Sequence, residues 1–206
     1  MTEAGYRTAT IAGLVRVAGW SPIRRELGIE AFGVNAWTVD EAGETVIQEH
    51  DESSGHEELY VVVSGRATFT VDGDEIDAPA GTLVFVREPT LKRAAVAVES
   101  GTTVLAVGAK AGEAFRPMSW EVNADVLPLF GEGRYADAKA LLLEALEQPL
   151  AGRGGLYYNL ACAEARLGET DAALAHLQTA LEERPDLREL AKTDDDLESV
   201  RDRLDG

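Results

Sequence analysis

Three histidines and one cysteine are all the imidazole and thiol ligands in this chain. Two of the histidines crowd one acidic stretch: His50-Asp51-Glu52 is followed by His56 and Glu58. Neutral imidazole and carboxylate together suit iron, manganese, nickel, copper or zinc. His50, Glu52 and Glu58 form the candidate metal set, and His56 with Glu58 is a second pair of equal strand parity. The same residue types also line polar pockets, where they hydrogen-bond for structural reasons alone. His176, between Ala175 and Leu177, reads as a surface or packing residue. Cys162 lies between Ala161 and Ala163 in an apolar helical pattern and reads as a small core residue. One cysteine excludes an intrachain disulfide and a multi-thiolate zinc site. There is no phosphate-binding glycine loop, no G-x-S-x-G elbow and no paired-cysteine motif. Asp194-Asp195-Asp196 lacks the spacing and glycine of a calcium loop and fits a helix N-terminus.

Strands must position these groups. Glu58 opens the apolar run 59–63, as expected of a strand covered on both faces. His50 closes the strand-like stretch 44–50, and 31–38 is a further strand containing Trp37. Segments 67–71 and 75–78 flank Asp72-Gly73, a hairpin signal because both central residues of a type I′ turn need positive φ. Segments 82–86, 94–98 and 103–107 follow, separated by Pro, Gly and charged residues. Short strands joined by turns predict a sandwich or barrel.

The order Glu58-Leu59-Tyr60-Val61-Val62-Val63-Ser64-Gly65, then Asp72-Gly73, then Pro79-Ala80-Gly81, resembles the two motifs of the cupin superfamily. Their general forms are G-x5-H-x-H-x(3,4)-E-x6-G and G-x5-P-x-G-x2-H-x3-N. The resemblance implies a double-sheet jelly-roll barrel with a metal held by two histidines and a glutamate of the first motif and a histidine of the second. The glycine and proline framework is present and the ligand set is depleted. Val84 stands at the second-motif histidine and Glu88 at the final asparagine. The loop 51–55 is longer than the pattern, and aligning His50-Asp51-Glu52 with H-x-H puts Glu52 in place of a histidine. Residues expected to line the pocket are therefore His50, Glu58, Tyr60, Val84 and Trp37. The expected cofactor is none, or a weakly bound divalent metal ion on His50, Glu52 and Glu58.

After a linker at 111–119 the period becomes helical. Helices are expected at 134–147, 156–167 and 170–183, with Pro185 as a stop. This half repeats at 35 residues: Gly133 and Gly168, Ala138 and Ala173, Leu142 and Leu177, Ala145 and Ala180. The period and the placing of Tyr157, Asn159-Leu160-Ala161 and Pro185 resemble tetratricopeptide repeats. Pro128 interrupts the first helix of the first copy, and 194–204 is expected to cap the array. Two units are fewer than the ~3 an independent array needs. The helices are therefore expected to dock on the barrel or on another copy, with Trp120 at the seam.

The fold class is mainly β plus α. A cupin-like barrel with an N-terminal extension spans 1–112, and a small all-α tetratricopeptide-like domain spans 119–206. A formal net charge of -18 over 206 residues disfavours nucleic acid and anionic membrane as partners. No window approaches the ~18 apolar residues of a membrane span, and no basic start precedes an apolar run, so a cytoplasmic location is expected. The expected function is a non-catalytic or weakly metal-binding cupin that takes a small molecule or a protein segment, with the helices as interaction surface. The alternative is a metal-dependent enzyme of oxygenase or isomerase type using His50, Glu52 and Glu58, and whether the chain is an enzyme stays open. A homodimer is expected, because the outward side of 59–63 needs cover and two repeats leave an open end.

Overall fold

The computed structural model describes residues 6–14, 16, 17, 19–52 and 54–203, apart from the side chain of Asp202. The chain divides into two units, Met1–Phe115 and Arg116–Gly206. The first contains β1 (Trp20–Ser21), α1 (Ile23–Leu27), β2 (Gly33–Thr38), β3 (Thr45–His50), β4 (Glu57–Ser64), β5 (Arg66–Val71), β6 (Asp74–Pro79), β7 (Leu83–Val86), β8 (Arg93–Ala97) and β9 (Thr103–Ala109). All pairings between these strands are antiparallel, in one sheet of order β1-β2-β9-β4-β7 and one of order β3-β8-β5-β6.

The two sheets share one core, which makes this unit a β-sandwich. Tyr60 and Val62 on β4, Val84 and Val86 on β7 and Val104 on β9 face Ala67 and Phe69 on β5 and Ala95 and Ala97 on β8. The Tyr60 and Phe69 rings, one from each sheet, lie 5.5 Å apart. Burial alternates along β5, β7 and β8 with the period of two that a pleated strand imposes. Between β5 and β6, Asp72 (φ 50) and Gly73 (φ 91) both take the left-handed conformation that the two-residue hairpin demands. Gly65 joins β4 to β5 at φ +69, and a Cβ there would collide with Thr102.

Full cover on both faces of 59–63 does not occur. Tyr60 and Val62 are buried, Leu59 and Val61 are half-buried and Val63 is exposed. The physical reason is where the N-terminal segment packs. Ile11, Leu14, Ile23, Leu27 and Ile29 cover Val34 and Ala36 on β2 and Leu105 and Val107 on β9. That apolar cover belongs to the β2–β9 half of the sheet, and at its β7 edge Leu83 and Phe85 remain 64% and 52% exposed.

The second unit contains α2 (Asn123–Gly131), α3 (Tyr135–Leu146), α4 (Gly154–Arg166), α5 (Thr170–Glu183) and α6 (Leu187–Ala191). Equivalent positions of the 35-residue repeat are buried in both copies: Ala138 and Ala173, Leu142 and Leu177, Ala145 and Ala180. Alanine at such points lets two helices approach closely, and the leucines fill the space between them. The helix α2 continues through Pro128. The expected cap at 194–204 is not one helix. It is two 3-10 turns, Asp195–Leu197 and Arg201–Arg203, while residue 204 lies outside the described residues. Asp194 organises this end. Its carboxylate accepts from the Tyr158 hydroxyl at 2.9 Å and from the Asp196 amide at 3.0 Å, and its carbonyl accepts from Arg201 at 2.7 Å. Cys162 is buried beside it, and burial followed by the Asp194 charge pushes the thiol well above its ordinary range. Cys162 packs in the same core as Ala161, Ala165 and Leu177. No helix among the described residues is long and apolar enough to cross a membrane.

Candidate functional site

Three strands deliver the polar cluster. Glu58 lies on β4 in the same inward row as Tyr60, paired with Val86 on β7 and Gly108 on β9. His50 ends β3 in register with Arg93 on β8, and Arg93 shares the inward side of its strand with Ala95 and Ala97. The Tyr60 hydroxyl donates to Glu58 Oε2 at 2.6 Å and lies 3.5 Å from His50 Nε2. His50 Nε2 is 3.7 Å from Glu58 Oε2, and Arg93 Nε is 3.4 Å from the same oxygen. His50 Nδ1 lies 2.7 Å from the Gln48 carbonyl. A carbonyl only accepts, so Nδ1 carries a proton and Nε2 faces Tyr60 and Glu58. Glu52 accepts from the amide and hydroxyl of Ser54. The Pro89 carbonyl accepts from both the Glu52 amide (2.8 Å) and Arg93 Nη1 (3.0 Å), which ties the loop after β3 to the loop before β8.

The side chain of Arg93 is 0% exposed. Its Nε and Nη2 have no hydrogen-bond partner among the described residues, although Nε is within ion-pair distance of Glu58. A buried guanidinium with an unused donor is costly unless an acceptor meets it. Burial pushes the Glu58 carboxyl up, but His50, the Tyr60 hydroxyl and Arg93 outweigh it and hold the group below its ordinary value. The Glu58 carboxylate in turn raises His50, against the opposing effect of burial. Burial and the adjacent Glu58 charge push the Tyr60 hydroxyl far up, so it remains a donor at any ordinary pH. The cluster therefore offers carboxylate acceptors beside a permanent cation, an arrangement that can hold an oxygen-bearing small molecule by complementary hydrogen bonds.

The structure brings His50, Glu52, Glu58 and Tyr60 together. Val84 is buried opposite Tyr60 in the strand pair and contributes only apolar wall. Trp37 packs on the same core, but it pairs with Val104, four residues along β9 from the Gly108 that pairs with Glu58. That is about 13 Å at ~3.3 Å per residue, so Trp37 lies at another level of the sandwich. His56, read as a second pair with Glu58, is half-buried with its ring 5.5 Å from that of Phe115. His176 pairs with the buried Glu164 at 2.7 Å in the second unit. Arg93 escaped the sequence reading. Its signal was there in Arg93-Ala94-Ala95-Val96-Ala97, where a charge falls in phase with two small residues on the inward side. An open polar groove of about 740 Å³, lined by Arg16, Thr38, Asp40, Glu44 and neighbours, contains no histidine or cysteine.

No protein-family model matches the chain, and no curated protein matches it. Among solved structures it is similar to a cupin protein from Bacteroides fragilis, with 26% identity and a TM-score of 0.44 over 54% of this chain and 90% of that one. It is also similar to an RmlC-like cupin protein from Desulfovibrio desulfuricans, with 28% identity and a TM-score of 0.34 over 39% and 73% of the two chains. A structure described as a predicted oxalate decarboxylase from Thermotoga maritima shows 19% identity and a TM-score of 0.35 over 41% and 71%.

One ligand atom from each of His50, Glu52 and Glu58 lies within 4.8 Å of the others, and one nitrogen with two carboxylates is a reasonable donor set for a divalent ion. The surroundings oppose it. Glu58 Oε2 already accepts from Tyr60 and faces the Arg93 guanidinium. Two oxygens of Glu52 and Glu58 must hold an ion beside a fixed positive charge, and Val84 adds no fourth ligand. This set does not fit a tight metal centre.

Proposed function

We propose that the first unit is a cupin-like, non-catalytic or weakly metal-binding module that takes a small molecule against His50, Glu58, Tyr60 and Arg93. In this reading the second unit is a tetratricopeptide-like surface for a protein segment. The observation that carries the reading is the buried Arg93, whose Nη2 lacks a partner among the described residues, beside the half-buried His50 and Glu58. A ligand oxygen supplies the missing acceptor, and Glu58 or Glu52 receives a ligand hydroxyl or amine. The second reading is a metal-dependent enzyme using His50, Glu52 and Glu58, favoured by the closeness of their three ligand atoms. Thermal-shift screening of the full chain against small carboxylates, sugars and amino acids tests the first reading. The expected result is a rise in Tm with at least one class, abolished by His50→Ala. No rise with any class, together with turnover that requires an added metal, favours the enzyme.

A further inference from the structure

The cluster gathers two carboxylates and an imidazole, the company a divalent cation keeps, around a cation the chain supplies itself. Arg93 enters from the β3-β8-β5-β6 sheet and Glu58 from the other sheet, so their 3.4 Å approach crosses the sandwich. Backbone register fixes both ends: Arg93 pairs with His50 on one side and Val71 on the other. Ala95 and Ala97, small residues on the same inward side, leave the long side chain as the one large group in its row. The guanidinium is anchored at Nη1 by the Pro89 carbonyl, which also receives the amide of Glu52. The loop that carries one candidate metal ligand is thus pinned to the same carbonyl as the arginine.

We propose that the Arg93 guanidinium is the resident cation of this barrel, holding Glu58 in the role a divalent metal would have and excluding one from His50, Glu52 and Glu58. Two positive groups cannot share one carboxylate oxygen in a water-poor interior without strong repulsion. A buried charge such as Arg93 cannot withdraw into solvent to make room. The metal site is latent: its three donors are gathered, and a single fixed charge closes it. Arg93 is on this account a specificity-determining residue that turns the site away from metal ions. The inference concerns the cation alone, so failure of every small molecule in the screen above leaves it standing.

The test is Co²⁺ titration of the metal-stripped full chain by calorimetry and visible absorption. Arg93→Met keeps an unbranched apolar stem and removes the guanidinium charge, and it is expected to bind Co²⁺ at least tenfold more tightly than wild type. His50→Ala on that background is expected to abolish the gain, and Arg93→Lys, which keeps a charge, to show none. Equal affinity of wild type and Arg93→Met, or a gain that survives His50→Ala, would overturn the proposal. Tight stoichiometric Co²⁺ binding by wild type, lost in His50→Ala, would overturn it with no arginine variant needed. Glu58→Gln supplies an arm that stands even if Arg93→Met does not fold. It keeps the shape and leaves the guanidinium without its counter-ion, so Tm is expected to fall by at least about 5 °C. An unchanged Tm would show that Arg93 does not depend on Glu58 and would also sink the proposal.

Discussion

Tyr60 joins the site to the core. Its ring is buried against Phe69, and its hydroxyl is the donor that orients Glu58 at 2.6 Å. Tyr60→Phe retains the ring packing and takes away only the hydroxyl, with its bond to Glu58 and its longer contact to His50. Stability is expected to fall by about 1–2 kcal/mol in urea unfolding, because Glu58 loses a donor while the apolar burial is unchanged. A loss as large as the ~3–5 kcal/mol of a truncated aromatic would mean that the ring, not the hydroxyl, depends on this contact. At this scale the chemistry is set by neighbours. Glu58 stays charged although buried because a histidine, a hydroxyl and a guanidinium surround it.

Between β4 and β5 the element depends on a residue without a side chain. Gly65 sits at φ +69, where an L-residue is strained, and the Cα of Thr102 is 2.8 Å from where its Cβ would stand. Gly65→Ala is expected to destabilise by about 2 kcal/mol, combining positive-φ strain with displacement of Thr102. Gly73→Ala is the control, since its Cβ would meet nothing within 4 Å and only the backbone strain remains. Equal losses in the two variants, measured by denaturant unfolding, would mean that crowding against Thr102 contributes nothing. In the helical unit the corresponding element is the Asp194 turn, which ties Tyr158 on α4 to Asp196 and Arg201.

For the whole molecule, the open feature is the outer side of the sheet at β7, where Leu83 and Phe85 are exposed beside half-buried Leu59 and Val61. We propose that a second copy of the chain covers it in an isologous homodimer, the commonest closed arrangement. The net charge of -18 opposes association, but screening over about 8 Å at physiological salt confines the repulsion to near neighbours. Light scattering is expected to give twice the 22.1 kDa chain mass, and Phe85→Lys to return it to the single-chain value. A single-chain mass at every concentration of wild type would rule the dimer out. Leu142, Leu160, Leu177 and Leu197 are fully buried among residues of the helical unit's own helices and turns.

Local pattern determined a good deal of this protein. Period-two runs and the Asp72-Gly73 turn marked the strands, because pleat and turn geometry act over a few residues. The 35-residue spacing of small and large residues marked the helices in the same way. The gathering of His50, Glu52 and Glu58 was legible too, since they are neighbours in the chain, although His50 and Glu58 stand on different sheets. The fate of that set was decided only by tertiary structure. Arg93 is 35 residues from Glu58 in sequence and 3.4 Å from it in space, and antiparallel sheet order, not any motif, brings it there. Which side of 59–63 is covered was likewise a matter of where Ile11, Leu14, Ile23, Leu27 and Ile29 pack. Strand propensity is written into neighbouring residues, whereas a buried charge and its counter-ion meet only once two sheets have closed on each other.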